Sequence, residues 1–216
     1  MSQDQHEAYL QRAYALDSGN VSTARNLYNE WAKDYDSDLA KHDYASPQVA
    51  VETLLKYWPA PSDKDNVVEI LDAGCGTGLV ASELVKAKGQ NGWKIDGVDL
   101  TQGMLDVAAT KNLYRNLWTV DLNEKIEGVE DGKYDAVLCV GTLTKGHVGS
   151  GCLGEFVRVG KVVIATIHDE IFESLGYKKE IERLESEGRV EILSTEQFGI
   201  MKGQSSGGRM VVLRRK

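Results

Sequence analysis

Residues 67–78 read Val-Val-Glu-Ile-Leu-Asp-Ala-Gly-Cys-Gly-Thr-Gly, an apolar run that leads straight into three closely spaced glycines. Val67, Val68, Ile70 and Leu71 are β-branched or apolar, the composition of a buried strand. Asp72 ends the run. Gly74, Gly76 and Gly78 then make a turn in which side chains would obstruct a ligand or the helix behind it. From residue 79 to 88 the spacing becomes helical, with Leu79, Val80, Leu84 and Val85 on one side. A strand, a bare turn and a helix start together make a ligand site, because the first backbone N–H groups of a helix are unpaired and attract anions.

Working outward, strands and helices alternate. A strand over 94–98 ends at Asp99, and a helix follows over 102–111. A short apolar piece over 117–120 ends at Asp121. Another strand covers 134–140, then a loop over 141–151, a short helix over 153–159 and a strand over 161–167. A long helix is expected over 170–188, with Ile171, Leu175, Ile181 and Leu184 inward. Two strands, 190–198 and 209–214, close the chain around a Gly/Ser loop and pair antiparallel. Such alternation predicts an α/β fold with a mostly parallel sheet covered on both faces.

Upstream, residues 1–20 are polar and read as loosely helical. Leu27, Tyr28, Trp31, Tyr35 and Leu39 recur at the spacing of one amphipathic helix with an aromatic face. Ser46 and Pro47 open a second helix, carrying Val49, Val51, Leu54 and Leu55. Residues 59–66 read as a linker. The expected organisation is a single domain over 1–216, with a helical cap at about 20–60 and a core at 67–216.

Composition narrows the partners. The chain has 216 residues and a net charge of −8, from 25 basic and 33 acidic side chains. That balance argues against a nucleic-acid backbone as partner, which needs clustered Lys and Arg. No apolar run approaches the roughly 20 residues of a membrane span, so no membrane role is expected. The polar, acidic N-terminus is unlike a secretory leader. Cys75, Cys139 and Cys152 form no paired pattern, which predicts reduced thiols and a cytoplasmic setting. No His/Cys/carboxylate cluster has metal-ligand spacing, so no metal is expected.

In a parallel sheet the ligand lies beyond the C-terminal strand ends, where strand order reverses. Asp72, Asp99 and Asp121 end three successive strands, and Gly141-Thr142 follows the next. An acidic residue at the end of the second strand can accept both hydrogen bonds of a ribose diol. A dinucleotide is the first alternative, but its GxGxxG pattern would put the third glycine at Leu79; here the spacing is GxGxG. His147 and His168, with Asp169, follow strands and border the expected pocket. Each His is a candidate proton acceptor for a nucleophile, or a residue that only positions substrate. The aromatic stripe reads either as core or as a lid. Cys75 and Cys139 read as small fillers.

Leu71-Asp-Ala-Gly-Cys-Gly-Thr-Gly78 resembles the first motif of class I S-adenosylmethionine-dependent methyltransferases. Gly97-Val-Asp-Leu-Thr-Gln-Gly-Met-Leu105 resembles the second, Asp121-Leu122 the adenine-edge pair, and Tyr134-Asp-Ala-Val-Leu-Cys-Val-Gly141 the fourth. Tyr28-Asn-Glu-Trp-Ala-Lys-Asp-Tyr35 and Gly141-Thr-Leu-Thr-Lys-Gly-His-Val148 are similar, more narrowly, to the Williams–Beuren-region methyltransferase-like proteins, as is the helix Ile181-Glu-Arg-Leu-Glu-Ser-Glu-Gly188.

The resemblance implies a Rossmann-like seven-stranded sheet with an antiparallel last strand. It implies S-adenosylmethionine as cofactor, S-adenosylhomocysteine as product, and a methyl acceptor. The short chain favours a small molecule as that acceptor, against a protein acceptor or a non-catalytic cofactor-binding protein that acts through a partner. The implied roles place Gly74, Gly76 and Gly78, with Ala73 beside them, against the methionine part of the cofactor, and Asp72 near its ammonium, directly or through water. Asp99 binds the ribose, Leu100 and Met104 flank the adenine, Asp121 takes its amino group, and the Leu122 N–H faces a ring nitrogen. Val140 and Gly141 line the methionine end. Tyr28 caps the carboxylate, with Trp31 and Tyr35 alongside. The family's usual Pro-Gly-Gly turn is replaced by Arg158-Val-Gly-Lys161, which implies a reshaped substrate-side wall.

Overall fold

A computed structural model describes residues 3–16, 21–58, 67–89 and 92–216. The expected linker at 59–66 lies outside the described residues. Seven strands form one sheet: β1 Val68–Ala73, β2 Trp93–Asp99, β3 Asn116–Thr119, β4 Tyr134–Leu143, β5 Gly160–His168, β6 Val190–Gly199 and β7 Gly207–Arg215. Their order is β3-β2-β1-β4-β5-β7-β6. The first five are parallel, and β7 runs antiparallel to both β5 and β6. Connections from β1 run one way to β2 and β3, and those from β4 run the other way to β5. The order therefore reverses between β1 and β4, and a crevice opens beyond their C-terminal ends.

Strand periodicity sends alternate side chains to two cores. On one face Leu71, Val137, Cys139 and Ala165 pack under helices α7 Cys152–Val159, α8 Asp169–Phe172 and α9 Tyr177–Ser186. On the other, Ile70, Leu138, Val140 and Ile164 pack under α4 Ser46–Tyr57 and α5 Leu79–Lys88. Both faces being covered explains why these strands read as continuous apolar runs rather than alternating ones.

Four details depart from the sequence reading. Residues 3–14 form a regular helix, α1 Gln3–Tyr14. The aromatic stripe spans two helices, α2 Val21–Trp31 and α3 Tyr35–Lys41. The break is a tight turn at residues 32–34, closed where the Asp34 N–H donates to the Trp31 carbonyl at 3.0 Å. The long helix expected at 170–188 is broken by Gly176, which takes a left-handed φ of +78° at the start of α9. Finally, α4 belongs to the sheet layer rather than to a cap, because Ala50, Val51 and Leu54 are buried against β1, β4 and β5. The cap is α1, α2 and α3, whose own cluster is Leu16, Ala24 and Leu27 with Tyr9, Tyr28 and Leu100.

The junction Arg158-Val-Gly-Lys161 also lies elsewhere than expected. Gly160 pairs with Tyr134, at the N-terminal end of β4, so this junction sits at the end of the sheet away from the crevice. It does not reshape the substrate side.

Candidate functional site

The glycine turn is tied down by backbone. The N–H groups of Gly74 and Cys75 both donate to the Val98 carbonyl, at 2.8 and 2.9 Å. Gly74 has φ +75°, and a Cβ there would sit 2.2 Å from Thr142 Oγ1, so β4 and the turn meet through the missing side chain. Gly76, at φ +53°, would put a Cβ into open space, and its N–H donates to Asp99 Oδ2 at 2.9 Å. Asp99 Oδ1 accepts from the Thr101 N–H and hydroxyl, both at 2.9 Å. Burial pushes the Asp99 carboxyl up, and these hydrogen bonds pull it back part of the way.

A cleft enclosing about 730 Å³ opens over this turn. Gly74, Gly76, Asp99, Leu100, Met104 and Asp121 line it, together with Leu122, Val140 and Gly141. Asp121 is oriented by Asn123, whose N–H and amide both donate to Oδ1 at 2.9 Å. The cleft thus presents carboxylates from two strand ends beside the apolar Leu100, Met104 and Leu122. That donor set fits a nucleoside, with a diol for Asp99 and a flat base between apolar side chains. The open space at Gly76 leaves room for the ligand's backbone-facing end.

Four of the expected cofactor residues do not line this cleft: Asp72, Ala73, Gly78 and Trp31. Asp72 is fully buried behind the turn, where Oδ2 accepts from the Tyr114 hydroxyl at 2.7 Å and Oδ1 has no hydrogen-bond partner among the described residues. Burial pushes its carboxyl up to about 7, with the Tyr114 bond opposing and Asp99's charge adding to the rise. Ala73 is fully buried within β1. Gly78 starts α5 and packs against Tyr114.

The opposite wall comes from the cap and from the loop after β4. Tyr28 and Tyr35 face the cleft, and the Tyr28 hydroxyl lies 2.7 Å from His147 Nε2. His147 Nδ1 is 2.8 Å from the Lys145 carbonyl and 2.8 Å from Thr144 Oγ1. A carbonyl can only accept, so Nδ1 carries the proton and Nε2 accepts from Tyr28. Burial lowers the pKa of His147, with the backbone contacts opposing, and it raises those of Tyr28 and Tyr35. All three are neutral near pH 7.

Trp31 lies on the far side of these rings. It is buried, donates from Nε1 to Asp38 at 2.9 Å, stacks on Tyr9 and Tyr28, and meets Tyr35 edge-on. It lines a second cavity of about 710 Å³, which shares Tyr28, Tyr35, Gly141 and His147 with the first. His168 also lines that second cavity. Its ring accepts the Glu170 N–H as the N-cap of α8. Asp169 is turned away into an ion pair with Arg209 at 2.8 Å.

Thr142, collected with Gly141 at the end of its strand, lines the cleft. Other wall residues were not anticipated: Thr101 and Asn123 in the cleft, and Tyr44, Thr166 and Phe198 in the second cavity. Tyr44 and Phe198 come from remote segments brought together where the Ala45 N–H donates to the Ile200 carbonyl at 2.9 Å. No local pattern marks them. Among the described residues no helix is long and apolar enough to cross a membrane.

Comparison with known proteins agrees with this geometry. Residues 70–161 match the family model described as a methyltransferase domain. The chain is similar to human Methyltransferase-like protein 27, 37% identical over 169 residues that cover 76% of this chain and 66% of that protein. It is also similar to the ubiquinone biosynthesis O-methyltransferase of Rickettsia akari, 34% identical over 84 residues, 38% of this chain and 31% of that enzyme. The match therefore spans less than two thirds of either relative's length. Among solved structures, the magnesium protoporphyrin IX methyltransferase of Synechocystis PCC 6803 with bound SAH aligns with a TM-score of 0.62. The alignment covers 91% of this chain and 100% of that one at 17% identity, a likeness of fold.

Proposed function

We propose that this chain, which belongs to the class I S-adenosylmethionine-dependent methyltransferases, carries a methyl group from that cofactor to a small-molecule acceptor. The observation that carries this reading is the pairing of two cavities across Tyr28, Tyr35, Gly141 and His147. One suits a nucleoside and the other leaves room for an acceptor. A protein that only bound the cofactor would have no use for the second.

When bound, the cofactor supplies a methyl made electrophilic by its sulfonium. The chain's residues do the rest. Asp99 holds the ribose hydroxyls, Leu100 and Met104 flank the adenine, and Asp121 and the Leu122 N–H read its edge. Val140 and Gly141 line the methionine end. Tyr28 and Tyr35 cover the cleft, with Trp31 behind them, and exclude water. Aromatic faces stabilise a cation by about 0.5–2 kcal/mol, and alignment of two reactants can lower a barrier by roughly 7–11 kcal/mol. His147 is placed to take a proton from the acceptor side through Tyr28, and His168 borders the same space. Asp72 acts behind the turn through Tyr114 rather than on the ligand.

A small-molecule acceptor is supported by the second cavity, walled by ring side chains, and by a net charge of −8, which disfavours a nucleic acid. Three buried free thiols suit a reducing, cytoplasmic compartment. Isothermal titration should show S-adenosylhomocysteine binding and NADH not binding. A metabolite extract incubated with methyl-labelled cofactor should then place the label in the low-mass fraction. Label appearing only on macromolecules would refute the small-molecule reading, and failure to bind S-adenosylhomocysteine would refute the cofactor itself.

A further inference from the structure

We infer that the second cavity takes an uncharged, flat ring compound as the methyl acceptor. This rests on the methyltransferase reading and narrows it.

The walls are the first argument. Trp31, Tyr35, Tyr44 and Phe198 supply ring faces, and Leu39 and Ile167 fill between them. Flat faces on several sides favour a flat occupant, because rings pack in offset or edge-on contact with other rings.

The second argument is charge. Among the described residues that line this cavity there is no Asp, Glu, Lys or Arg. Burial also favours the neutral form of three of its side chains: it pushes the Tyr44 hydroxyl up to about 12, raises Tyr35 and lowers His147. The fixed charges beside it are engaged elsewhere, as in the Arg209–Asp169 ion pair. A carboxylate or ammonium entering here would lose its water and meet no Asp, Glu, Lys or Arg side chain among the described wall residues. The contrast with the cofactor cleft is internal to the molecule, since Asp99 and Asp121 line that one.

The third argument is the position of the polar atoms. They cluster where the two cavities join. The Gly141 N–H donates to Thr166 Oγ1 at 2.8 Å, and the Tyr44 hydroxyl lies against Gly141 Cα, leaving no room for a Cβ. Thr144 and His147 stand on the other side of the same junction. A ring compound with one hydroxyl or ring N–H would turn that group to the junction, toward the cofactor, and leave its apolar body among the rings.

The test is isothermal titration of protein saturated with S-adenosylhomocysteine, using naphthol, naphthoate and naphthylmethylammonium as probes of one shape and three charges. Naphthol should bind at least about tenfold more tightly than either ion, as expected when a charge is desolvated without a partner. Phe198→Ala should weaken naphthol binding by roughly tenfold while S-adenosylhomocysteine affinity stays within about twofold, since it removes one ring face of this cavity alone. Ile200→Lys adds a cation to the wall and should move the preference toward naphthoate. Equal or tighter binding of either ion to the unaltered protein overturns the inference. So does a protein that takes S-adenosylhomocysteine but none of the three probes, and that outcome leaves the methyltransferase reading standing. Failure to take S-adenosylhomocysteine removes both.

Discussion

The sheet side and the cap side of the cleft are held by different forces. On the sheet side the ligand-facing groups are fixed by backbone: Asp99 by the Gly76 and Thr101 N–H groups, and the turn by the Val98 carbonyl. On the cap side rings stack on rings, and a few side-chain bonds cross to the core. They include Tyr28 to His147, Asn29 to the Gly103 N–H at 2.8 Å, and Asp36 to Thr77 and Lys111. The cap's own cluster is small beside the two sheet cores. Local opening draws on regions with little buried apolar contact, so the cap should open at lower free energy than the sheet wall. The division suits a bisubstrate reaction. In the proposed reaction the rigid wall would fix one reactant, and the lightly held wall would let it in and then shut out water.

The sheet wall breaks most severely at Gly74. Gly74→Ala places a Cβ 2.2 Å from Thr142 Oγ1 in a left-handed conformation. Strain and overpacking together should cost about 3–6 kcal/mol. We expect a fall in melting temperature on the order of 10 °C or more and loss of measurable S-adenosylhomocysteine binding. A variant that melts and binds like the parent would mean the turn is not rigid, and the contrast between the walls would collapse.

Asp72→Asn probes the buried support of the same wall. The folded-state carboxyl titrates at about 7, well above its ordinary value of 3.8. The native state therefore keeps a proton that the unfolded chain has released. This group's contribution to stability is full below about pH 4 and is lost as pH rises through 7. Asn carries no charge, so the stability difference should move in its favour by about 2–3 kcal/mol between pH 5 and pH 8. Melting curves of both proteins at the two pH values measure it. A difference independent of pH would show that Asp72 is already ionised in the folded protein.

Asp99→Ala takes the sheet wall's ligand-facing carboxylate away. It leaves the Gly76 N–H without its acceptor and a bound ribose without its partner. Binding of S-adenosylhomocysteine should weaken by about 1–3 kcal/mol, roughly fivefold to 150-fold. Unchanged affinity by calorimetry would detach the ribose from Asp99.

The same asymmetry governs what could be read from the sequence. The sheet wall is written in consecutive residues. A strand, its terminal carboxylate and the glycines after it lie within about a dozen positions, so Gly74, Asp99 and Asp121 were legible as they stand. The cap wall is written in partners far apart: Tyr28 and His147 are 119 positions from one another, and Tyr44 and Phe198 come to line one cavity only because two segments pair. Asp72 shows the limit within the legible part. Its place at a strand end was evident, but the direction of its side chain was set by Tyr114, 42 positions downstream. The helix breaks at Asp34 and Gly176 escaped for another reason. Apolar spacing continued across both, while a tight turn at residues 32–34 and one left-handed glycine interrupt the helices.

The smallest effect is expected where the cap latches to the sheet wall. Asp36 accepts from the Thr77 hydroxyl in the glycine turn and pairs with Lys111 Nζ at 2.6 Å, just past the end of α6 Gln102–Thr110. Asp36 is 38% exposed and Lys111 22%, so solvent screens much of their attraction. Lys111→Ala should cost no more than about 1 kcal/mol of stability, as for other partly exposed pairs. If the cap is the mobile wall, the loss should appear in kinetics. Dissociation of S-adenosylhomocysteine should quicken a few-fold at low salt, and the difference should fade near 1 M salt, where charges are screened beyond roughly 3 Å. The Thr77 bond survives the substitution, which keeps the turn itself in place and confines the change to the latch. An unchanged dissociation rate at low salt would mean that ring packing alone holds the cap shut, and that the two walls differ in composition but not in mobility.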